Sequence, residues 1–236
     1  MSASLALSVR NVYETLAISF PTMLEAFGGR VTRQVCDDRL DRWAHHVIEN
    51  AQIQLDLVGR ENAAPGATYL VMSNHQSLYD IPVLFHVLGP NIRMITKKEL
   101  FRVPIFGNAL TAAGFVAVDR GNRESAIRNL DRARSLLASG THVWIAPEGT
   151  RSVTGQLLPF KKGGFHLAFE SELPILPVTL SGTRDVLPAH GVLSRPGARV
   201  RVTFHPSIDP RPYAARGKAG RVDLMSLVRA TLETGL

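Results

Sequence analysis

The chain has 236 residues, enough for one large domain with an appendage and enough to bury a core without disulfide or metal staples. Hydrophobic residues make up 45% and charged residues 20% of it, which excludes a disordered, collagen-like or disulfide-scaffold chain. A formal net charge of +7 points to an anionic partner: nucleic acid, a phosphorylated substrate or an anionic membrane face.

Residues 9–27 (VRNVYETLAISFPTMLEAF) predict a moderately apolar helix that Pro21 kinks or ends, with Gly28 and Gly29 just after it. Leu40, Trp43, Ala44, Val47, Ile48 and Ala51 recur at three- and four-residue steps and predict a second, amphipathic helix. The two form a helical hairpin. It either pads the core or dips Phe20, Met23, Leu24 and Phe27 into a bilayer surface, and periodicity alone leaves both open. From Ile53 onward the pattern alternates through Leu55 and Leu57, followed by the turn GRENAAPGA and the apolar run TYLVMS, which read as two strands. Further strands are expected at Asn91–Thr96, Gly114–Val118, His142–Ala146, Ile175–Leu180 and Arg199–Phe204. Between them the clearest helix follows Asn122, an expected N-cap with Glu124 in the first turn, and turns Ile127, Leu130, Ala133 and Leu137 inward. Residues 205–220 (HPSIDPRPYAARGKAG) read as loop, and Leu224, Met225, Val228 and Leu232 mark a closing helix.

Strands alternating with helices predict an α/β fold: an open mixed, largely parallel sheet flanked by helices, with an N-terminal helical hairpin. The division expected is a helical membrane-association segment over residues 1–52 and an α/β domain over 53–236. Cys36 is the only cysteine, so no internal disulfide or thiolate cluster is possible, and it reads as a buried small apolar side chain. No run of eighteen residues is continuously apolar, so no spanning helix is expected. The start lacks the pattern of a secretory signal, and the chain reads as unprocessed and facing the cytoplasm.

Ligands of open α/β sheets sit beyond the carboxyl ends of the strands, and three segments there carry chemistry. The first is NHQSLYD, Asn74–Asp80, directly after TYLVMS. Five residues rotate a helix by roughly 140°, so His75 and Asp80 meet only if the histidine ends the strand and the aspartate lies where the chain folds back. The carboxylate would then fix the imidazole tautomer and leave the other ring nitrogen free as a base. A satisfied structural histidine is the alternative. The second is WIAPEGTRS, Trp144–Ser152, where a glycine turn beside Thr150 and Arg151 suits a phosphate; the alternative is a loop closed by a Glu148–Arg151 ion pair. Lys161 and Lys162 extend the positive potential or are solvated surface. The third, Ile95–Arg120, places Lys97 and Lys98 at one strand end and Arg120 at another, where it is either a ligand-binding cation or a surface partner of Asp119.

With these blocks in order, the chain resembles glycerolipid acyltransferases of the PlsC type, similar to bacterial 1-acylglycerol-3-phosphate O-acyltransferases. NHQSLYD fits the family's NHxxxxD motif, KKELFRVPIFG its second block, APEGTRS its third and LPILPVTLSG, Leu173–Gly182, its fourth; the likeness covers about residues 53–190. It implies that His75 is the general base for an acceptor hydroxyl, with Asp80 orienting it, and that the hydroxyl attacks an acyl thioester of coenzyme A or acyl carrier protein. It also implies that Glu148, Gly149, Thr150 and Arg151, with Lys97 or Lys98, bind the acceptor phosphate; Arg120 joins that expected set only as a cation at a strand end.

The expected acceptor is a lysophospholipid, 1-acylglycerol 3-phosphate first, with glycerol 3-phosphate, another lysophospholipid or a lyso-ornithine lipid as alternatives. The chain lacks a GxSxG elbow, Ser77 has no independent claim as a nucleophile, and no acyl-enzyme is required. No cofactor and no metal is expected, since the eight histidines show no HExxH-like spacing. The remaining expected partner is an anionic membrane surface, met peripherally or monotopically on the cytoplasmic side. A nucleic-acid-binding module is disfavoured by an aromatic content of 7%, and a non-catalytic membrane scaffold by the presence of all four reactive residue types.

Overall fold

The computed structural model describes the backbone of residues 2–118 and 123–236 and the side chains of residues 2–118 and 130–236. The apolar strands predicted from the sequence are present, displaced at their ends by no more than two residues. They are β1 (Gln54–Val58), β2 (Leu70–Ser73), β3 (Ile92–Lys97), β4 (Val116–Val118), β5 (His142–Ile145), β6 (Ile175–Ser181) and β7 (Arg199–Phe204). They form one sheet in the order β1-β7-β6-β2-β5-β3-β4, parallel at every pair except the antiparallel β6–β7. The two strands flanking the GRENAAPGA turn are not neighbours: β1 pairs with β7, and β2 lies between β5 and β6. A turn of 3-10 helix, Arg60–Asn62, begins that crossing.

Alternation along the strands builds two cores. On β2, Val71 faces one core, whereas Leu70 and Met72 face the other; on β6, Leu176, Val178 and Leu180 oppose Ile175. The first core is roofed by α1 (Leu5–Phe27), α2 (Arg33–Asn50), α3 (Asp80–Leu88) and α4 (Phe106–Ala112). The second is covered by α5 (Arg123–Ala138), α6 (Gly163–Ser171) and α9 (Gly217–Glu233), the last bringing Leu224, Val228 and Leu232 inward as the sequence predicts. Two short helices, α7 (Thr183–Val186) and α8 (Arg211–Ala214), complete the set. Ala133 and Leu137 of α5 are buried as expected, whereas Asn122 and the side chains of Glu124 and Ile127 lie outside what the structure describes.

One expectation is narrowed and one is corrected. Of the two outcomes expected at Pro21, an end to the helix does not occur: α1 continues to Phe27 and stops where Gly29 takes φ 65°. Packing of the opposite face onto α2 and α4 stabilises the helix beyond the one hydrogen bond that proline removes. The segment 205–220, read as loop for its Pro and Gly, holds α8 and the first turn of α9: Pro210 precedes the helical start, where a missing N–H costs nothing, and Gly220 packs against the Tyr213 carbonyl, where a Cβ would come within 1.9 Å.

The hairpin is tied to the sheet by a charge pair as well as by apolar packing. Arg93 on β3, 3% exposed, reaches Asp37 on α2 at 2.5 Å and donates to the carbonyls of Pro90, Ile92 and Ala113. Removing one partner of a buried pair leaves the other uncompensated, which is costly, while replacing both is tolerated better. Asp37→Ala is therefore expected to destabilise by about 2–4 kcal/mol, and Asp37→Leu combined with Arg93→Met by clearly less. Thermal melts of the single and double variants check this ordering.

Candidate active site

β2 stops at Ser73, and the Asn74 side chain then takes over its pairing. Asn74 Nδ2 donates to the Leu180 carbonyl and its Oδ1 accepts from the Leu180 N–H, both at 2.8 Å, as a further strand residue would do with its main chain. The backbone is thereby free to leave the sheet at His75. Below it, Trp144 on β5 donates from Nε1 to Ser73 Oγ at 2.8 Å and sets its indole edge-on to the imidazole, ring centroids 5.8 Å apart.

The chain then folds back so that Asp80 opens α3. Its carboxylate, wholly buried, accepts at Oδ2 from the His75 ring at 2.7 Å, the Gln76 N–H at 2.8 Å and the Ser77 N–H at 2.9 Å, and at Oδ1 from Thr183 at 2.5 Å. This is the folded-back geometry that a His and an Asp five residues apart require. His75 uses Nδ1 toward the carboxylate; Nε2 has no hydrogen-bond partner among the described residues, and the side chain keeps 18% of its surface open. Ser77 Oγ is buried and donates to the Leu187 carbonyl, which leaves it no role as a nucleophile.

The third block meets the first through the backbone of His75. Its N–H donates to Glu148 Oε1 at 2.8 Å, and its carbonyl accepts from the Ser152 N–H at 2.7 Å. His75 is thus clamped on both sides by the loop that carries Arg151, and the imidazole and the guanidinium segment share one edge of the sheet. Arg151 is half-buried and forms no ion pair among the described residues, so the Glu148–Arg151 alternative does not occur. Thr150 is exposed, and Gly149 turns the chain with φ 73°.

Glu148 is placed differently from the expectation. Its carboxylate, 2% exposed, is spent on two backbone amides, those of His75 and Leu158, and so braces the loop instead of facing an acceptor phosphate. Lys97 and Lys98 lie at the end of β3, parallel to β5 and β2, and therefore at the same sheet edge. Lys161 and Lys162 are exposed, and Arg120 lies outside the described residues. Three residues to which the sequence reading gave no role complete the site: Asn74 and Trp144, which hold the strand end, and Thr183. No group of three or more His, Cys, Asp or Glu among the described residues is arranged to hold a metal.

Beside the site, α1, α2, α3 and α4 line an apolar pocket of about 250 Å³ that is partly open to the surface. Leu78 and Ile81, on either side of Asp80, form part of its wall, with Ile18, Trp43, Phe85 and Leu110. Cys36 lies in the same lining, buried, and burial pushes its thiol up from the ordinary range.

Burial pushes the Glu148 carboxyl above its ordinary value of 4.5, against the opposing pull of the two amides. The folded chain therefore holds this proton more tightly than the unfolded chain, and the group's stabilising contribution is greatest below the ordinary carboxylate range and declines as pH rises toward the raised folded value. Glu148→Gln does not titrate and offers one acceptor where two amides need one, so it is expected to melt lower than wild type. The difference in Tm should narrow as pH is raised through that window; melts across acidic pH check the sign.

A sequence model described as Acyltransferase matches residues 54–181, from the first residue of β1 to the last of β6. A 1-acyl-sn-glycerol-3-phosphate acyltransferase of Chlamydomonas reinhardtii is 34% identical over 187 residues, 75% of this chain and 56% of the algal protein. One from Saccharomyces cerevisiae is 38% identical over 166 residues, covering 68% and 54%. The chain spans about half the length of these curated relatives. The crystal structure of PlsC, the 1-acyl-sn-glycerophosphate acyltransferase of Thermotoga maritima, superposes with a TM-score of 0.73 at 25% identity, over 97% of this chain and 95% of that one. Its four blocks converge on one edge of a sheet that the family's sequence model spans from first to sixth strand, and the chain belongs to the acyltransferase family.

Proposed function

We propose that the chain transfers a fatty acyl group from an acyl thioester, of coenzyme A or acyl carrier protein, to the free hydroxyl of a lysophospholipid, with 1-acylglycerol 3-phosphate as acceptor. The observation that carries this reading is the His75–Asp80 pair with an open Nε2 beside the loop of Arg151. His75 Nε2 takes the hydroxyl proton while the oxygen bonds to the thioester carbon. The tetrahedral intermediate then collapses, the C–S bond breaks, and the imidazolium returns its proton to the leaving thiolate. Asp80 holds the tautomer and offsets the positive charge that develops on the ring. Arg151 and the lysines ending β3 supply cations for the acceptor phosphate.

The named relatives act on 1-acylglycerol 3-phosphate, which supports that acceptor over glycerol 3-phosphate, other lysophospholipids and a lyso-ornithine lipid. The apolar cavity against Leu78 and Ile81 offers space for an acyl chain beside the base.

Long acyl chains do not leave a bilayer unaided, at about 0.8 kcal/mol per buried CH₂. α1 exposes Val9, Val12, Leu16, Phe20, Leu24 and Phe27 at three- and four-residue steps on one face, while Leu7, Ser19 and Thr22 are buried. Of the two readings of the hairpin, this stripe supports docking on a membrane, peripherally or monotopically; the face proposed is the cytoplasmic one. No described helix is long and apolar enough to cross one.

A thiol-release assay with palmitoyl-CoA and a panel of the acceptors above tests the reaction. His75→Ala is expected to lower kcat by about 10²–10⁴-fold. Arg151→Ala should instead raise the acceptor KM by about 10-fold with kcat little changed. Thiol release that His75→Ala leaves intact would refute the base assignment. Replacing Leu16 and Phe20 by Asp should lower co-sedimentation with phosphatidylglycerol-containing vesicles by about 10-fold or more with a much smaller effect on Tm, since about half of each side chain is already exposed.

A further inference from the structure

The Asp80 carboxylate is held from two directions, and only one of them belongs to the NHxxxxD segment. Oδ2 is occupied by the imidazole and by the amides of Gln76 and Ser77. Oδ1 receives the Thr183 hydroxyl, 103 residues away in sequence, and no other donor among the described residues. Thr183 is fully buried. It reaches Asp80 because β6 is followed at once by Gly182, whose φ of 93° and close approach to the Arg199 carbonyl, where a Cβ would come within 2.2 Å, turn the chain sharply into α7.

A carboxylate whose second oxygen is unpaired in a dry site rotates to share the donors available to the first. Here that rotation would move Oδ2 out of line with His75 Nδ1. We propose that Thr183 is a positioning residue of the acyl-transfer site: its hydroxyl locks the Asp80 carboxylate in the one rotation that presents Oδ2 to the imidazole. This rests on the reading of His75 as the base. The Thr183 hydroxyl bonds to Asp80 and not to the ring, so it acts through Asp80. A hydroxyl is required and its γ-methyl is not, so serine should serve in its place.

The test is steady-state thiol release with palmitoyl-CoA and 1-acylglycerol 3-phosphate, run on wild type, His75→Ala, Thr183→Val, Thr183→Ser, Asp80→Asn and the Thr183→Val/Asp80→Asn pair, with Tm measured for each. Thr183→Val is expected to lower kcat by about 10-fold while both KM values stay within about twofold, and Thr183→Ser to restore most of the loss. In the Asp80→Asn background the valine substitution should add less than about a twofold loss, because the group it acts through is already altered. If Thr183→Val does not fold, Thr183→Ala replaces it in the same comparisons. Three results would overturn the proposal alone: a kcat unchanged in Thr183→Val while His75→Ala is inactive, a serine variant as impaired as the valine, or an equal loss in both Asp80 backgrounds. A His75→Ala enzyme as active as wild type would instead overturn the base assignment, and this proposal with it.

Discussion

A fully buried carboxylate is tolerated only when its oxygens are met by donors, and Asp80 meets that condition with four. Everything nearby is arranged to supply them. The chain must leave β2 at Ser73 so that Gln76 and Ser77 can aim their amides back, and Asn74 makes that departure possible by pairing with Leu180 through its side chain. The end of β6 must turn sharply at Gly182 to deliver Thr183. The imidazole is the fourth donor, and the one whose far side stays open.

Two buried carboxylates hold this site, and they do different work. Asp80 counts the imidazole among its donors, so its negative charge faces a group that can become positive. Glu148 takes two amides, so its charge ties the loop 147–158 to the backbone of His75. The parallel arrangement of β2, β5 and β3 explains why residues from separate blocks arrive together: strands running in one direction end at one edge, and each block begins where its strand stops. Arg184, beside Thr183, donates to the carbonyls of Val153 and Thr154, so the turn after β6 also grips the segment that follows Arg151.

The strands and the four longest of the described helices are legible in the sequence because their apolar residues recur at period two or at three- and four-residue steps, and the sheet edge follows from strands alternating with helices. The pairing of β1 with β7 is not, since two short strands on either side of a turn carry no mark of the neighbour each will take. Pro21 and the segment 205–220 mislead for a common reason: local propensity is weak against packing, and α1 and α9 each have a face that the core demands. Of the site, His75, Asp80 and Arg151 stand out through their motifs. Thr183 does not, because a lone threonine after a strand has no spacing to announce it, and the role of Glu148 depends on the direction of its side chain, which residue type does not reveal.

The helical hairpin looks like a portable module, but the Arg93–Asp37 pair makes it part of the same folded unit as the sheet. Arg39 on α2 likewise reaches back to Thr22 and Glu25 of α1, and Asn11 of α1 donates to the Tyr79 hydroxyl one residue before Asp80. Excised and fused elsewhere, the hairpin would carry away the counter-ion of a guanidinium that remains embedded among apolar side chains. Recombination between relatives should therefore be disruptive when the crossover falls between α2 and β3, and far better tolerated when both partners of that pair come from the same parent.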